Sequence, residues 1–234
     1  MIPPSSKSFK VDVIVIARDH EATLAETLAR LPRRQLRNVI VVDNDSHDRI
    51  ARIAELGGAV VLREPQCGYG AACRRALMYL MSLPQPPEVA VFLNGDAVAD
   101  AANVGTLIEP MKSGHFDLLI GSRSGGARLT AAEAGKLAAV NLIFALYGHR
   151  YTDLSPFRAI RYPALVALGM RDEDEGWLVE MQVKAITAGL RVAEVAVSPP
   201  AATPGRGGKL ARAKQQVHAG AKILFTILRH ATAR

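Results

Sequence analysis

Asn94-Gly95-Asp96 is a short stretch whose residue types and spacing could do chemistry. It follows the apolar run Val89–Leu93, which suits a strand buried on both faces. A Gly followed at once by Asp suits a chain that leaves the sheet and turns. The Asp96 carboxylate would then stand just beyond a strand's carboxyl end, where ligands bind in open α/β sheets. Mg2+ and Mn2+ take oxygen ligands, often a carboxylate or two together with substrate phosphates. A metal–diphosphate site at Asp96 is therefore one reading. A surface turn, built from the same residue types, is the other. Further acids and glycines stand in similar places: Asp43 ends the run Asn38–Asp43, and Gly121-Ser122-Arg123 follows Phe116–Ile120. Gly68 and Gly70 lie at the opening of the helical run Ala71–Met81.

Such residues need a frame, and the periodicity supplies one. Val11–Ile16 reads as a first buried strand, and Asp19 is placed to cap a helix carrying Leu24, Leu28 and Leu31 at helical spacing. A second strand (Asn38–Asp43), a helix (His47–Leu56), a short third strand (Ala59–Arg63) and the helix Ala71–Met81 follow. Val89–Leu93 is a fourth strand, Asn103–Lys112 a helix and Phe116–Ile120 a fifth strand. Strands alternating with helices at short spacing predict an α/β fold with a mainly parallel central sheet and helices on both faces. Right-handed crossovers would bring Asp43, Asp96 and Gly121 to one edge of that sheet. The later part is less regular. It predicts helices over Glu133–Tyr147, Trp177–Ala188 and Leu210–Leu228, an edge strand at Phe157–Ile160 and a strand at Leu190–Val197. In the last helix Val217, Leu224 and Leu228 share one face and the other is basic. Asp172–Glu175 reads as a solvated acidic loop, and Ser198–Gly208 as a Pro/Gly-rich loop.

At 234 residues with 49% hydrophobic content, the chain has enough apolar sequence for one large domain. No apolar run approaches the roughly 18 residues that span a bilayer, and the N-terminus lacks an apolar signal core. Cys67 and Cys73 make neither a metal quartet nor a disulfide framework. These features lead to the expectation of a cytoplasmic protein. The net charge of +7 is carried by residues 195–234, with seven basic residues and no acid. Such a segment can rest on an anionic membrane. Without an aromatic-studded basic surface it does not read as a nucleic-acid site.

In order and spacing, the motifs resemble the family 2 glycosyltransferases of the GT-A fold, in particular the dolichyl-phosphate-mannose synthase-like branch. The segments that carry the likeness are VIVIARDHEATLAETLARLP, VVDNDSHD, EPQCGYGAACRRAL, FLNGD, GSR, TDLSPFRAIR, EGWLVEMQVKA and GLRVAEVAV. The resemblance implies a single Rossmann-like GT-A domain over 1–234. Its nucleotide-sugar half would be 11–123, its acceptor-side half 124–209 and its basic C-terminal helix 210–234. It implies transfer of a hexose from a UDP- or GDP-sugar to an acceptor, either a polyprenyl phosphate or a small phosphorylated molecule. Mg2+ or Mn2+ would be held at Asp96. Ala17, Asp19 and Asp43 would line the base and ribose, and Gly68 and Gly70 would admit the donor to the backbone. Asn94 and Gly95 would belong to the diphosphate site, and Arg123 would grip an acceptor phosphate. Arg206 and Lys209 would cover the phosphates. Asp153 is the first candidate for the base, Glu180 the second, with Arg158 orienting either; His218 could approach the metal.

The sequence departs from the family pattern at informative places. Asp19-His20 stands where the family has Asn-Glu, Asn44-Asp45 where it has Asp-Gly or Asn-Gly, and Asn94 where the first Asp of Asp-X-Asp is usual. These changes favour, as the competing expectation, a catalytically silent homologue that binds a nucleotide or a protein partner.

Overall fold

The computed structural model describes residues 9–123, 131–197 and 223–229. Its strands are β1 (Val11–Ala17), β2 (Asn38–Asn44), β3 (Val60–Glu64), β4 (Val89–Asn94), β5 (Leu118–Ser122), β6 (Arg158–Arg161) and β7 (Val192–Ala196). Its α-helices are α1 (Glu21–Arg30), α2 (Ile50–Leu56), α3 (Tyr69–Ser82), α4 (Val98–Ala102), α5 (Val104–Lys112), α6 (Ala131–Tyr147), α7 (Tyr162–Ala167) and α8 (Gly176–Thr187). The strands form one seven-stranded sheet in the order β3-β2-β1-β4-β6-β5-β7. All neighbours pair in parallel except β6, which runs antiparallel to both β4 and β5.

Strand alternation sends successive side chains to opposite faces, and the sheet buries both. On one face Ile14, Ile16, Ile40, Val42 and Phe92 pack with Ala72, Ala76 and Leu80 of α3, Ile143 of α6 and Trp177 and Met181 of α8. On the other, Val13, Val15, Val39, Val41, Val91 and Leu93 pack with Leu24 and Leu28 of α1, Ile50 of α2 and Leu107 and Ile108 of α5. Each fully buried Val, Leu, Ile or Phe contributes about 1.5–3 kcal/mol of transfer free energy. A double-sided core thus makes a firm platform for the loops at its ends.

One sequence expectation changes here. Phe157–Ile160 was expected at an edge, but β6 lies inside the sheet. Its register sets Arg158 between Phe92 of β4 and Ile120 of β5. Phe157, Ala159 and Ile160 are fully buried because helices cover both faces at that point. Composition alone cannot distinguish a short edge strand from one slotted between two others. In the last helix, of which 223–229 lie within the described residues, Leu224 and Leu228 are exposed and Thr226 and Ile227 face inward. The Tyr147 hydroxyl fixes that orientation by donating to the Ile227 carbonyl at 2.9 Å.

Candidate active site

Register places the chemistry. Ala17 at the end of β1 is opposite Asp43 of β2, and Ile16 is opposite Asn94 of β4. The carboxyl ends of β2, β1 and β4 therefore stand side by side, and the loops that follow them form one rim.

The first two loops are sewn together by their acids. Asp19 and Asp45 both adopt positive φ, 52° and 56°, a conformation that Asp tolerates better than most residues. The Asp19 carboxylate accepts the His47 N–H at 2.8 Å, and the Asp19 N–H donates to the Ser46 hydroxyl at 3.2 Å. Asp19 therefore does not cap α1. That helix begins after His20, and its first N–H, on Glu21, donates to Asp48 of the neighbouring loop at 2.8 Å. Asp43 is buried and accepts the Ser46 N–H at 3.1 Å, while its other oxygen lies 3.8 Å from Arg63. It holds the turn and also floors the rim.

The glycine loop is organised by Asn44, which the sequence marks only as a departure from the family pattern. Its carbonyl accepts the Gly68 N–H at 3.1 Å and its amide donates to the Gln66 carbonyl at 2.7 Å. Gly68 has φ 149°. A Cβ there would strike the Glu173 carbonyl, and one on Gly70 the Asp172 carbonyl. The close approach these glycines permit is thus made by the chain's own backbone at 172–173. Nor is the acidic loop simply solvated. The Glu173 carbonyl accepts the Ala71 N–H at 2.9 Å, and its carboxylate pairs with Arg74 and accepts from Gln66. Asp172 accepts the Asp174 N–H at 2.9 Å. By sequence alone these charges read as water-facing; only the fold brings partners to them.

Behind it, the Glu180 carboxylate is enclosed. It accepts the Asp172 N–H at 2.7 Å and the Arg171 N–H at 3.1 Å, and pairs with Lys184 at 2.7 Å. Burial pushes this carboxyl up, but the Lys184 ammonium and the two N–H groups outweigh burial and hold it below the usual carboxylate range. A fully covered carboxylate with these partners holds the 171–172 loop. Arg158 is also fully buried and bonds the Ser155 and Leu178 carbonyls instead of either candidate base. Burial lowers its pKa from the ordinary guanidinium value.

On the rim itself the Asn94-Gly95-Asp96 turn is tied down. The Gly95 N–H donates to the Ile16 carbonyl at 2.8 Å, and its carbonyl accepts the Thr27 hydroxyl at 2.9 Å. The Asp96 side chain is 51% exposed, with His20 Nε2 3.9 Å away. Asn94 Oδ1 and His20 Nδ1 are buried without hydrogen-bond partners among the described residues. In a native core such atoms are rare and call for a partner.

The other side of the rim is an ionic cluster. Arg123 pairs with Asp100, a residue absent from the sequence reading although it follows Asp96 by one helical turn. Burial raises the Asp100 carboxyl, and Arg123 opposes that rise. Asp100 Oδ1 and Arg123 Nε are buried and have no hydrogen-bond partner among the described residues. Asp153 is buried beside them, accepting the Arg123 N–H at 3.1 Å and the Leu154 N–H at 2.7 Å, with Lys136 3.4 Å away. Glu194 of β7 fastens this loop by accepting the Thr152 and Asp153 N–H groups, each at 3.0 Å. Arg206, Lys209 and His218 lie outside the described residues.

The same organisation is found in known proteins. A family model described as glycosyl transferase family 2 matches residues 12–153. An uncharacterized glycosyltransferase of Mycobacterium tuberculosis is 33% identical over 202 residues, 85% of this chain and 88% of that protein. Glycosyltransferase AglJ of Haloferax volcanii is 26% identical over 178 residues, 74% of this chain and 57% of that one. Among solved structures, glucosyl-3-phosphoglycerate synthase from M. tuberculosis in complex with UDP shares the fold with a TM-score of 0.75. Identity is 21%, with 95% of this chain and 80% of that chain covered. The same enzyme with Mn2+, UDP and glucosyl-3-phosphoglycerate gives 0.75 at 20% identity, again over 95% and 80%. The family model spans more than half of the sequence and carries the strand-end residues described above; the chain belongs to the family 2 glycosyl transferases.

Proposed function

We propose that this chain moves a hexosyl group from a nucleoside-diphosphate sugar to a phosphate-bearing acceptor, with a divalent cation held at Asp96. The observation that carries this reading is the rim made by Ala17, Asp43 and Asn94-Gly95-Asp96. There an exposed carboxylate follows by two residues a buried Asn94 carbonyl oxygen that has no hydrogen-bond partner among the described residues. The donor set fits Mg2+ or Mn2+, which accept carboxylate, carbonyl and phosphate oxygens. Among the described residues no three His, Cys, Asp or Glu side chains gather as a metal cage, so the donor's own phosphates would complete the shell. When bound, such a cation offsets the diphosphate charge and makes the nucleoside diphosphate a better leaving group.

The chain's residues divide the remaining work. Ala17, Asp19 and Asp43 line the nucleoside side, where Asp43 can accept hydrogen bonds from a ribose hydroxyl or a base N–H. Gly68 and Gly70 shape that side through the 172–173 backbone. Arg123, steadied by Asp100, faces the acceptor phosphate, and Arg206 and Lys209 are assigned to the phosphates from their place in the sequence. Asp153 is the base, since it alone of the two acidic candidates lies in the rim cluster. Glu180 and Arg158 act as positioning residues for the loops around it. A small phosphorylated acceptor is supported by the likeness to a synthase solved with phosphoglyceric acid. A polyprenyl phosphate and a peripheral membrane contact are supported by exposed Leu224, Phe225 and Leu228 beside Arg229. No described helix is long and apolar enough to cross a membrane.

A thermal-shift panel of UDP- and GDP-sugars, with Mn2+ or with EDTA, tests this. One donor should raise stability by about 2.7 kcal/mol at a hundredfold excess over its Kd, and the shift should vanish in EDTA and in Asp96→Ala. The silent-homologue reading is favoured by the carboxamide at Asn94. It would be supported by a nucleotide-induced shift that is indifferent to EDTA, with no transfer or hydrolysis of any donor.

A further inference from the structure

His20 has no structural employment that accounts for its ring. Its backbone carbonyl starts α1 by accepting the Thr23 and Leu24 N–H groups at 3.1 and 2.9 Å, but the side chain makes no capping bond. Nδ1 is turned into the protein, 2.9 Å from where a Cβ on Gly95 would stand, and has no hydrogen-bond partner among the described residues. Nε2 is therefore the nitrogen that faces the rim, 3.9 Å from Asp96 Oδ2. That separation is too long for a hydrogen bond. Cis ligands each about 2.1 Å from one octahedral cation lie roughly 3.0 Å apart, so a swing of either side chain by about 1 Å would bring both atoms onto one ion.

We propose that His20 is a nitrogen ligand of the cation at Asp96 and sets its metal preference, favouring Mn2+ and Co2+ over Mg2+. The proposal rests on the reading that a divalent cation assists at Asp96. The chemistry follows from ligand type. Carboxylate and carbonyl oxygens serve Mg2+ and Mn2+ alike, whereas an imidazole nitrogen favours the transition metals, with affinity rising from Mn2+ through Co2+. Asn94, where the first Asp of Asp-X-Asp is usual, removes one negative charge at the cation, and His20 stands near Asp96 with a nitrogen donor. A site with one carboxylate fewer holds Mg2+ less well and keeps hold of softer ions through the ring.

The test uses the full chain with UDP or GDP as the probe nucleotide. Mn2+, Co2+ and Mg2+ affinities are measured by titration, and nitrogen coupling to bound Mn2+ by pulsed paramagnetic resonance. Wild type should show imidazole nitrogen coupling. His20→Asn should lose it, with Mn2+ affinity falling on the order of tenfold or more and Mg2+ affinity by less than about threefold. His20→Asp, which restores an oxygen ligand, should move the preference back towards Mg2+ and serves as a second variant if His20→Asn does not fold. Coupling that survives in both variants, or that disappears in His218→Ala instead, overturns the assignment while leaving the metal-assisted reading intact. A wild type that binds no Mn2+ with either nucleotide overturns both.

Discussion

Gly95 is a glycine because of what lies on either side of it. A Cβ there would stand 2.8 Å from the Ala17 Cβ and 2.9 Å from His20 Nδ1, and both neighbours are held by backbone bonds. Gly95→Ala should therefore cost about 1–3 kcal/mol, the usual range for overpacking, read as a lower urea midpoint with unchanged slope. Because the strain falls between β1 and the Asp96 turn, the variant should also lose the donor-induced thermal shift. Unchanged stability would mean that His20 moves freely and that the rim is looser than its bonds imply. At the same scale, Asp43 holds its turn without leaving the strand end. One carboxylate oxygen holds the turn through Ser46, yet the residue still sits at the strand end opposite Ala17.

At the scale of elements, the inserted β6 is what joins the two sides of the rim. It lies between β4, which ends in Asn94, and β5, which ends in Ser122 just before Arg123. The far edge depends on Asp117, ahead of β5. Asp117 receives the Arg191 backbone N–H at 3.0 Å and its guanidinium at 2.8 and 2.9 Å. The Arg191 hydrogen bonds hold the Asp117 carboxyl below its ordinary value. A carboxyl whose folded pKa is depressed adds stability above its unfolded pKa of about 3.9, and that stability is lost as pH falls through the folded value. Asp117→Asn should thus be less stable than wild type at neutral pH, and the gap should close on acidification below about pH 4. A gap that stays constant from about pH 7 to pH 2 would mean that the ion pair contributes nothing to the fold.

Across the whole molecule, Glu180 in α8 acts at a distance from the rim it was expected to serve. It holds the Arg171 and Asp172 N–H groups, the 172–173 backbone fills the space beside Gly68 and Gly70, and Asn44 ties that loop to β2. Glu180→Gln removes the charge from a buried carboxylate that pairs with Lys184. Charge-assisted bonds of this kind are worth about 1.5–3 kcal/mol. Amide exchange over 68–72 and 171–176 should therefore accelerate on the order of tenfold to a hundredfold. Acceleration confined to 171–176 would show that the two loops are not mechanically joined.

The order of strands and helices, the two-faced burial and the row of strand-end residues were legible in the sequence, because they follow from local periodicity and from the handedness of parallel crossovers. Asp43, Asn94-Gly95-Asp96 and Arg123 could be named on that basis. The tertiary structure alone decided that β6 is interior, that Asp48 caps α1 in place of Asp19, that Glu180 and Arg158 are shut in and that Asp100 steadies Arg123. It also decided that the acidic loop supports the glycine loop. These are partnerships between residues up to about a hundred positions apart, such as Arg74 with Glu173. A carboxylate in a sequence looks the same whether it faces water, a substrate or a distant backbone N–H; only the folded chain supplies the partner that tells them apart.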